Sequence, residues 1–109
     1  MSAVTLPEPI AAYFAADTRG PDDVARCFTS QGVVKDKRQT HTGREAIKAW
    51  KVESSNLYTY TNDPFSVELV DGVHVVHSHT VGTFPGSPID LKLLFRLERG
   101  LIASLEITA

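Results

Sequence analysis

The stretch IDLKLLFRLERG, residues 89–100, alternates apolar and polar side chains up to Leu97 and ends in an Arg-Gly pair. Over residues 89–97 the odd positions are all apolar, and the even positions are polar except for Leu94. Because strand side chains alternate between two faces, the pattern predicts a strand with its odd face toward a core. The Arg99-Gly100 pair predicts a tight turn into a further strand.

The sequence on both sides of this stretch extends the strand into a meander. The Asp71-Gly72 pair predicts another tight turn, and the connection PGSP, residues 85–88, separates two further runs. The runs that read as strands, in addition to the one quoted above, cover residues 58–70, 73–84 and 101–108.

The first half of the chain has helical spacing instead. Apolar residues recur at helical intervals over residues 6–17, again after Pro21, and again after Thr42, which with Glu45 fits a capping box. Helices followed by an antiparallel meander predict an α+β fold, a curved sheet backed by three N-terminal helices.

Length and composition narrow the class of protein. The 109 residues predict one domain, spanning residues 1–109, and a net charge of −2 without a basic cluster argues against nucleic acid binding. We expect a cytoplasmic protein that is not in a membrane, since the N-terminus lacks a leader pattern and the longest apolar run, residues 10–16, is too short to span a bilayer. A single cysteine cannot form an intramolecular disulfide, and no Cys pair is available for a zinc site. We expect no metal and no cofactor.

Asp36 is the outstanding polar residue of the first half. In the run GVVKDK, residues 32–37, it shares a strand face with Val34. A carboxylate facing an apolar cavity is costly to ionise, which is how general bases and acids are commonly prepared. The alternative is a solvated strand end, flanked by Lys35 and Lys37.

Taken in order, these elements resemble a known group of proteins. They are a helix with Tyr13, a strand ending in Asp36 before TGREAIKAW at residues 42–50, and a meander containing VGTFPGSP at residues 81–88. The chain resembles the NTF2-like superfamily, in the branch of ketosteroid isomerase and the SnoaL-like polyketide cyclases. The resemblance implies a cone of strongly curved, mixed or antiparallel sheet (a cystatin-like roll), a homodimer through the sheet, and a hydrophobic small molecule as ligand.

The resemblance also implies catalytic roles. Asp36 matches the general base and Tyr13 the oxyanion donor of ketosteroid isomerase, acting on a hydrophobic carbonyl substrate. The second oxyanion donor of that enzyme falls on Leu93, which cannot donate a hydrogen bond. Losing one such donor typically costs on the order of 10²-fold in rate, so efficient isomerisation is not expected.

A hydrophobic pocket is expected around these residues. The side chains predicted to line it are Phe14, His41, Trp50, His77, His79, Leu93 and Phe95.

His77 and His79 share a strand face about 6.5 to 7 Å apart, but two ligands do not make a zinc site. If they face inward, either can form an acid–base pair with Asp36 suited to dehydration or hydrolysis. If they face outward, they belong to the outer sheet surface or to a dimer contact.

Three functions are therefore open at this level. The first is an isomerase or cyclase that uses Asp36 and Tyr13, and the second is a non-catalytic, dimeric module that binds a ligand or a protein. The third is a dehydratase or hydrolase that uses His77 or His79 with Asp36.

Overall fold

A computed structural model describes residues 4–109, so residues 1–3 of the predicted domain lie outside the described part. Two helices, two paired strands and a third helix come first, and four more strands follow. The helices are α1 (Glu8–Asp17), α2 (Pro21–Arg26) and α3 (Arg44–Leu57). The strands are β1 (Phe28–Asp36), β2 (Gln39–Thr42), β3 (Tyr60–Val70), β4 (Val73–Gly82), β5 (Ile89–Glu98) and β6 (Leu101–Thr108).

The strands form one curved sheet in the order β2-β1-β6-β5-β4-β3. Neighbours are antiparallel except β1 and β6, which are parallel, so the sheet is mixed. The predicted α+β fold with its N-terminal helices is confirmed. Strand β2 was not predicted, because QTHT has no apolar alternation and becomes a strand by pairing with the end of β1.

The core lies between the inner face of the sheet and the helices. Leu93 and Phe95 of β5 are buried and pack in one cluster with residues of all three helices, which confirms that the odd positions of this strand face inward. The other fully buried side chains of this cluster are Ile10, Ala16, Val24, Phe28, Val34, Ile47, Val76, Ile102 and Leu105. Burial of such a side chain contributes about 1.5–3 kcal/mol, so this layer holds the helices on the sheet.

Both predicted hairpin turns are present. Asp71 and Gly72 have φ of 51° and 78°, and Arg99 and Gly100 have φ of 52° and 79°. Two successive positive φ angles are what a type I′ turn requires, and this turn matches the twist of the strands that it joins.

Helix α3 begins differently from the prediction. Its N-cap is Gly43, with no side-chain capping bond, so the capping box of Thr42 and Glu45 is wrong. The buried face of α3 consists of Ile47, Trp50 and Lys51. Trp50 lines a cavity between the helices and the sheet, and Lys51 donates a hydrogen bond to Tyr60, which lines the same cavity. Within residues 4–109, no helix combines the length and the hydropathy that a membrane crossing needs.

Candidate functional site

The sheet, α1 and α3 enclose a cavity of about 1040 Å³. Some of its lining side chains are apolar, among them Phe84, Ile89, Leu91, Leu93 and Ile107. Others carry hydrogen-bonding groups, among them Tyr13, Asp36, Trp50, Tyr60, Asn62 and Thr80, and residues 35–40 add further polar and charged groups. Apolar surface together with convergent polar groups is typical of a small-molecule site.

Asp36 is both the end of a strand and part of the cavity wall. It is the last residue of β1, shares its face with the fully buried Val34, and is itself half-buried. Its Oδ2 accepts a hydrogen bond from Nε1 of Trp50 at 3.1 Å. Within residues 4–109 the other oxygen, Oδ1, has no hydrogen-bond partner, so it is free to accept a proton from a ligand.

Tyr13 lies on α1 and reaches the same cavity. Its ring packs edge-on against Phe28 at 6.2 Å and Phe95 at 5.5 Å between ring centroids. Burial raises the pKa of Tyr13 well above its ordinary value, and the charges of Asp17 and Asp36 raise it further. The hydroxyl therefore stays protonated near neutral pH, and it has no hydrogen-bond partner in the described part of the chain.

A buried polar network adjoins the cavity beside Tyr13, and the sequence analysis missed it. The ammonium of Lys51 forms an ion pair with Oδ1 of Asp17 and donates a hydrogen bond to the hydroxyl of Tyr60. Asn62 Nδ2 donates to Oδ2 of Asp17 at 3.0 Å, and Thr80 Oγ1 donates to Oδ1 of Asn62 at 2.7 Å. Three members of this network, Tyr60, Asn62 and Thr80, line the cavity.

The ionisation states of this network follow from its contacts. Burial alone would lower the pKa of Lys51, but the neighbouring Asp17 carboxylate and Tyr60 hydroxyl outweigh it and raise that pKa. Burial, together with the charge of Asp17, raises the pKa of Tyr60 against the opposing effect of Lys51. Near neutral pH, Lys51 is therefore an ammonium and Tyr60 a neutral phenol.

Helical spacing was the signal that would have found two members of the network. Asp17 follows Tyr13 by four residues, and Lys51 follows Ile47 by four residues, so each lies on the buried face of its helix. Apolar residues alone, counted along these faces, do not reveal either charged side chain. A lysine in such a stripe is buried only when a partner meets it, and that partner comes from another helix.

The seven predicted pocket-lining residues fall into three groups. Trp50 and Leu93 line the cavity. Phe14, His41 and Phe95 do not: Phe95 is fully buried behind Tyr13, and Phe14 packs on the same two rings. His41 stacks on Trp50, with ring centroids 6.2 Å apart. These three side chains support the wall from behind.

His77 and His79 are outside the cavity, so their predicted place in its lining is wrong. In β4 the alternate residues Val76, Ser78 and Thr80 are buried, which turns both histidines to the outer face of the sheet. There Nδ1 of His77 lies 3.1 Å from Oγ of Ser66, and Nδ1 of His79 lies 2.8 Å from Oδ1 of Asp90.

This placement removes the dehydratase or hydrolase hypothesis, which requires a histidine beside Asp36. In residues 4–109, no group of three or more His, Cys, Asp or Glu side chains is arranged to hold a metal ion.

The rim of the cavity carries charged and aromatic residues. The ammonium of Lys37 lies 5.5 Å from the ring centroid of Tyr58, and that ring packs edge-on against Phe84 at 6.3 Å. Lys37 and Arg38 have φ of 52° and 65°, so the turn between β1 and β2 is also of the I′ type. This turn places Asp36 just inside the rim.

Solved structures match the chain closely. A putative polyketide cyclase from Sinorhizobium meliloti is 33% identical with a TM-score of 0.89, over 94% of this chain and 95% of that one. A hypothetical protein from Catenulispora acidiphila with a ketosteroid isomerase-like fold, in complex with trimethylamine, is 23% identical with a TM-score of 0.83, over 96% and 87%. A putative polyketide cyclase from Silicibacter is 20% identical with a TM-score of 0.77, over 92% and 85%.

No family model matches the sequence, and no curated protein matches it. The similarity to the Sinorhizobium protein extends over nearly the whole of both chains, and the other two structures share the fold. The chain therefore belongs to the NTF2-like/SnoaL-like superfamily.

Proposed function

We propose that the protein is a proton-transfer enzyme of the isomerase or cyclase type, with Asp36 as general base and Tyr13 as hydrogen-bond donor to the oxygen of a carbonyl substrate. One observation carries this proposal: Asp36 and Tyr13 line the same cavity. They are also close enough for the charge of Asp36 to contribute to the raised pKa of Tyr13.

The proposed step is abstraction of a proton from the carbon next to a carbonyl group. Oδ1 of Asp36 takes the proton, the electron pair of the C–H bond becomes the carbon–carbon double bond of an enolate, and the carbonyl oxygen becomes negative. Tyr13 donates its hydroxyl proton in a hydrogen bond to that oxygen. In an isomerase Asp36 returns the proton to another carbon. In a cyclase the enolate carbon attacks a second carbonyl carbon, the π electrons of that C=O bond move to its oxygen, and this oxygen takes the proton from Asp36.

The rest of the wall fits a hydrophobic substrate. Leu91, Leu93 and Ile107 offer apolar contacts in the same cavity as the polar groups. The cavity volume of about 1040 Å³ lies at the upper end of the volumes typical of pockets for small molecules, about 300–1000 Å³. A substrate of several fused rings, or a folded polyketide chain, matches this space.

Exchange of substrate protons with D₂O tests the proposal directly. We expect the protein to accelerate deuterium incorporation next to the carbonyl of cyclic enones and 1,3-diketones, as followed by NMR. Asp36→Asn should lower the rate by about 10²- to 10⁴-fold, the usual contribution of general base catalysis. Tyr13→Phe should lower it by about 10²-fold, as expected for one oxyanion donor.

Arg96→Ala is the matched control, because Arg96 lies on the outer, exposed side of β5. Its exchange rate should equal that of the wild type. Wild-type exchange in Asp36→Asn would contradict the proposed role of the carboxylate.

A non-catalytic, dimeric binding module is the second candidate. It is favoured by Leu93, which occupies the cavity wall where the resemblance expects a second donor and offers only methyl groups. Phe65 and Val81, which are 51% and 45% exposed on the outer side of the sheet, would suit a homodimer interface. Tight ligand binding without proton exchange, with a dimer in sedimentation equilibrium, would favour this candidate.

A further inference from the structure

A second hydrogen-bond donor is needed for the negative oxygen of an enolate, and the place expected for it holds Leu93. The cavity nevertheless has another candidate, Tyr60, at the start of β3. After burial and Asp17, both Tyr60, in its phenolate form at high pH, and Asp36 contribute to the raised pKa of Tyr13, and Asp36 also adds to the effect of burial on the pKa of Tyr60. Tyr13, Tyr60 and Asp36 therefore lie in one neighbourhood of the cavity.

The hydrogen-bond geometry leaves the proton of Tyr60 available. The Tyr60 oxygen accepts a hydrogen bond from the Lys51 ammonium, which also lies 4.7 Å from the centroid of the Tyr60 ring. A phenol oxygen that accepts from an ammonium still has its own proton to donate. That proton has no acceptor among residues 4–109, and Tyr60 borders the cavity, where a ligand oxygen would meet it.

The ion pair behind Tyr60 fixes this arrangement. The side chains of Lys51 and Asp17 are only 3% and 8% exposed, and Asn62 holds the second oxygen of Asp17. A buried ion pair with further hydrogen bonds keeps its geometry without solvent, so the Tyr60 hydroxyl is oriented before a ligand arrives. The Lys51 ammonium also polarises the O–H bond of Tyr60, which makes the Tyr60 hydroxyl a stronger hydrogen-bond donor.

We propose that Tyr60, held by the Lys51–Asp17 ion pair, is the second oxyanion donor of this cavity and binds an enolate or phenolate oxygen together with Tyr13. The inference rests on the proposed function for its catalytic meaning, but the binding of an oxyanion can be measured without any reaction. Lys51 and Asp17 are positioning residues, since neither is part of the cavity wall.

Binding of 2-naphthol and of naphthalene to Asp36→Asn protein is the test. Asparagine imitates the neutral carboxylic acid present after proton abstraction, and 2-naphtholate imitates the enolate oxygen. Adding Tyr60→Phe should weaken naphtholate binding roughly 10- to 100-fold, the value of one hydrogen bond to a charged group. Naphthalene binding should change by less than about twofold, because the ring of residue 60 remains in place.

Tyr58→Phe is the matched control, since Tyr58 lies at the rim and has no ammonium bonded to its hydroxyl in the described part of the chain. It should leave the ratio of naphtholate to naphthalene affinity unchanged. Unchanged naphtholate binding in Tyr60→Phe, equal weakening of both probes, or failure of the parent protein to bind naphtholate would each overturn the inference.

A measurement that needs no change at residue 60 covers the case in which Tyr60→Phe fails to fold. Two downfield hydroxyl proton resonances are expected by NMR in the naphtholate complex, one from each tyrosine, and a single resonance would overturn the inference. If the proposed function is wrong but this inference is right, the result is different. The wild type then shows no deuterium exchange, while naphtholate binding still depends on Tyr60.

Discussion

Nε1 of Trp50 lies 3.1 Å from Oδ2 of Asp36, so a helix side chain holds the carboxylate at the end of a strand. Trp50 belongs to α3, and 14 residues separate the two partners along the chain. The bond occupies one carboxylate oxygen and leaves the other toward the cavity. A carboxylate at the end of a strand is thereby held in one orientation, as the proposed role of a base requires.

Trp50→Phe tests this orientation. Phenylalanine keeps an aromatic ring against His41 but removes the indole N–H, a hydrogen bond to a charged group worth about 1.5–3 kcal/mol. We expect kcat/KM for proton exchange to fall by roughly 10- to 100-fold. In an Asp36→Asn background the same change should have little further effect on the rate. Independent, multiplicative losses would show that Trp50 acts otherwise than through Asp36.

Lys51→Met tests the buried ion pair. The variant leaves the carboxylate of Asp17 buried without its counter-ion, which typically costs about 3–5 kcal/mol in free energy of unfolding. Urea denaturation should show this loss, and the double variant Asp17→Leu/Lys51→Met should recover much of it, because no unpaired charge remains.

Lys48→Met is the matched surface control for that experiment. Lys48 lies 2.9 Å from Asp22, but the two side chains are 43% and 65% exposed. An exposed pair of this kind contributes about 0–1 kcal/mol, so this variant should unfold close to the wild type. Equal losses in the two lysine variants would contradict the special cost assigned to the buried pair.

The stability of the protein should fall in alkaline solution. Burial and nearby carboxylates raise the pKa of Tyr13 above its ordinary value of 10.0, so the folded protein holds this proton more tightly than the unfolded chain. The resulting stabilisation is fully present below about pH 10 and is lost as the pH rises from there toward the pKa of the folded state. The pKa values of Tyr60 and Lys51 are also raised, and they act in the same direction.

Thermal unfolding from about pH 8 to about pH 12 measures this effect. The melting temperature should decline above about pH 10, and Tyr13→Phe should reduce the steepness of the decline. A melting temperature that rises over this interval, or a Tyr13→Phe profile with the same slope as the wild type, would contradict the assignment.

Double replacement of His77 and His79 by alanine should leave proton exchange within about twofold of the wild type. Both side chains lie on the outer face of the sheet, and the contact between His79 and Asp90 is exposed. A surface pair contributes about 0–1 kcal/mol, so the free energy of unfolding should change little. A loss of exchange of about 100-fold would require a histidine in the reaction after all.

Much of the fold was predictable because its signals are local. The alternation over residues 89–97 placed Leu93 and Phe95 inward, and the Asp71-Gly72 and Arg99-Gly100 pairs placed two turns, since these patterns depend only on neighbouring residues. Strand β2 was not predictable in this way, because its polar side chains carry no alternation and its pairing with β1 is its only reason to be a strand.

The candidate site was predictable in part. The amino-acid pattern alone puts Asp36 on one face with Val34 and Tyr13 on a buried helical face, since both follow from the periods of strand and helix. That Trp50 binds Asp36, that Lys51 meets Asp17 and Tyr60, and that His77 and His79 face outward depend on how the elements pack together. A period sets which side chains share a face, whereas curvature and packing set which faces enclose the cavity and which partners neutralise a buried charge.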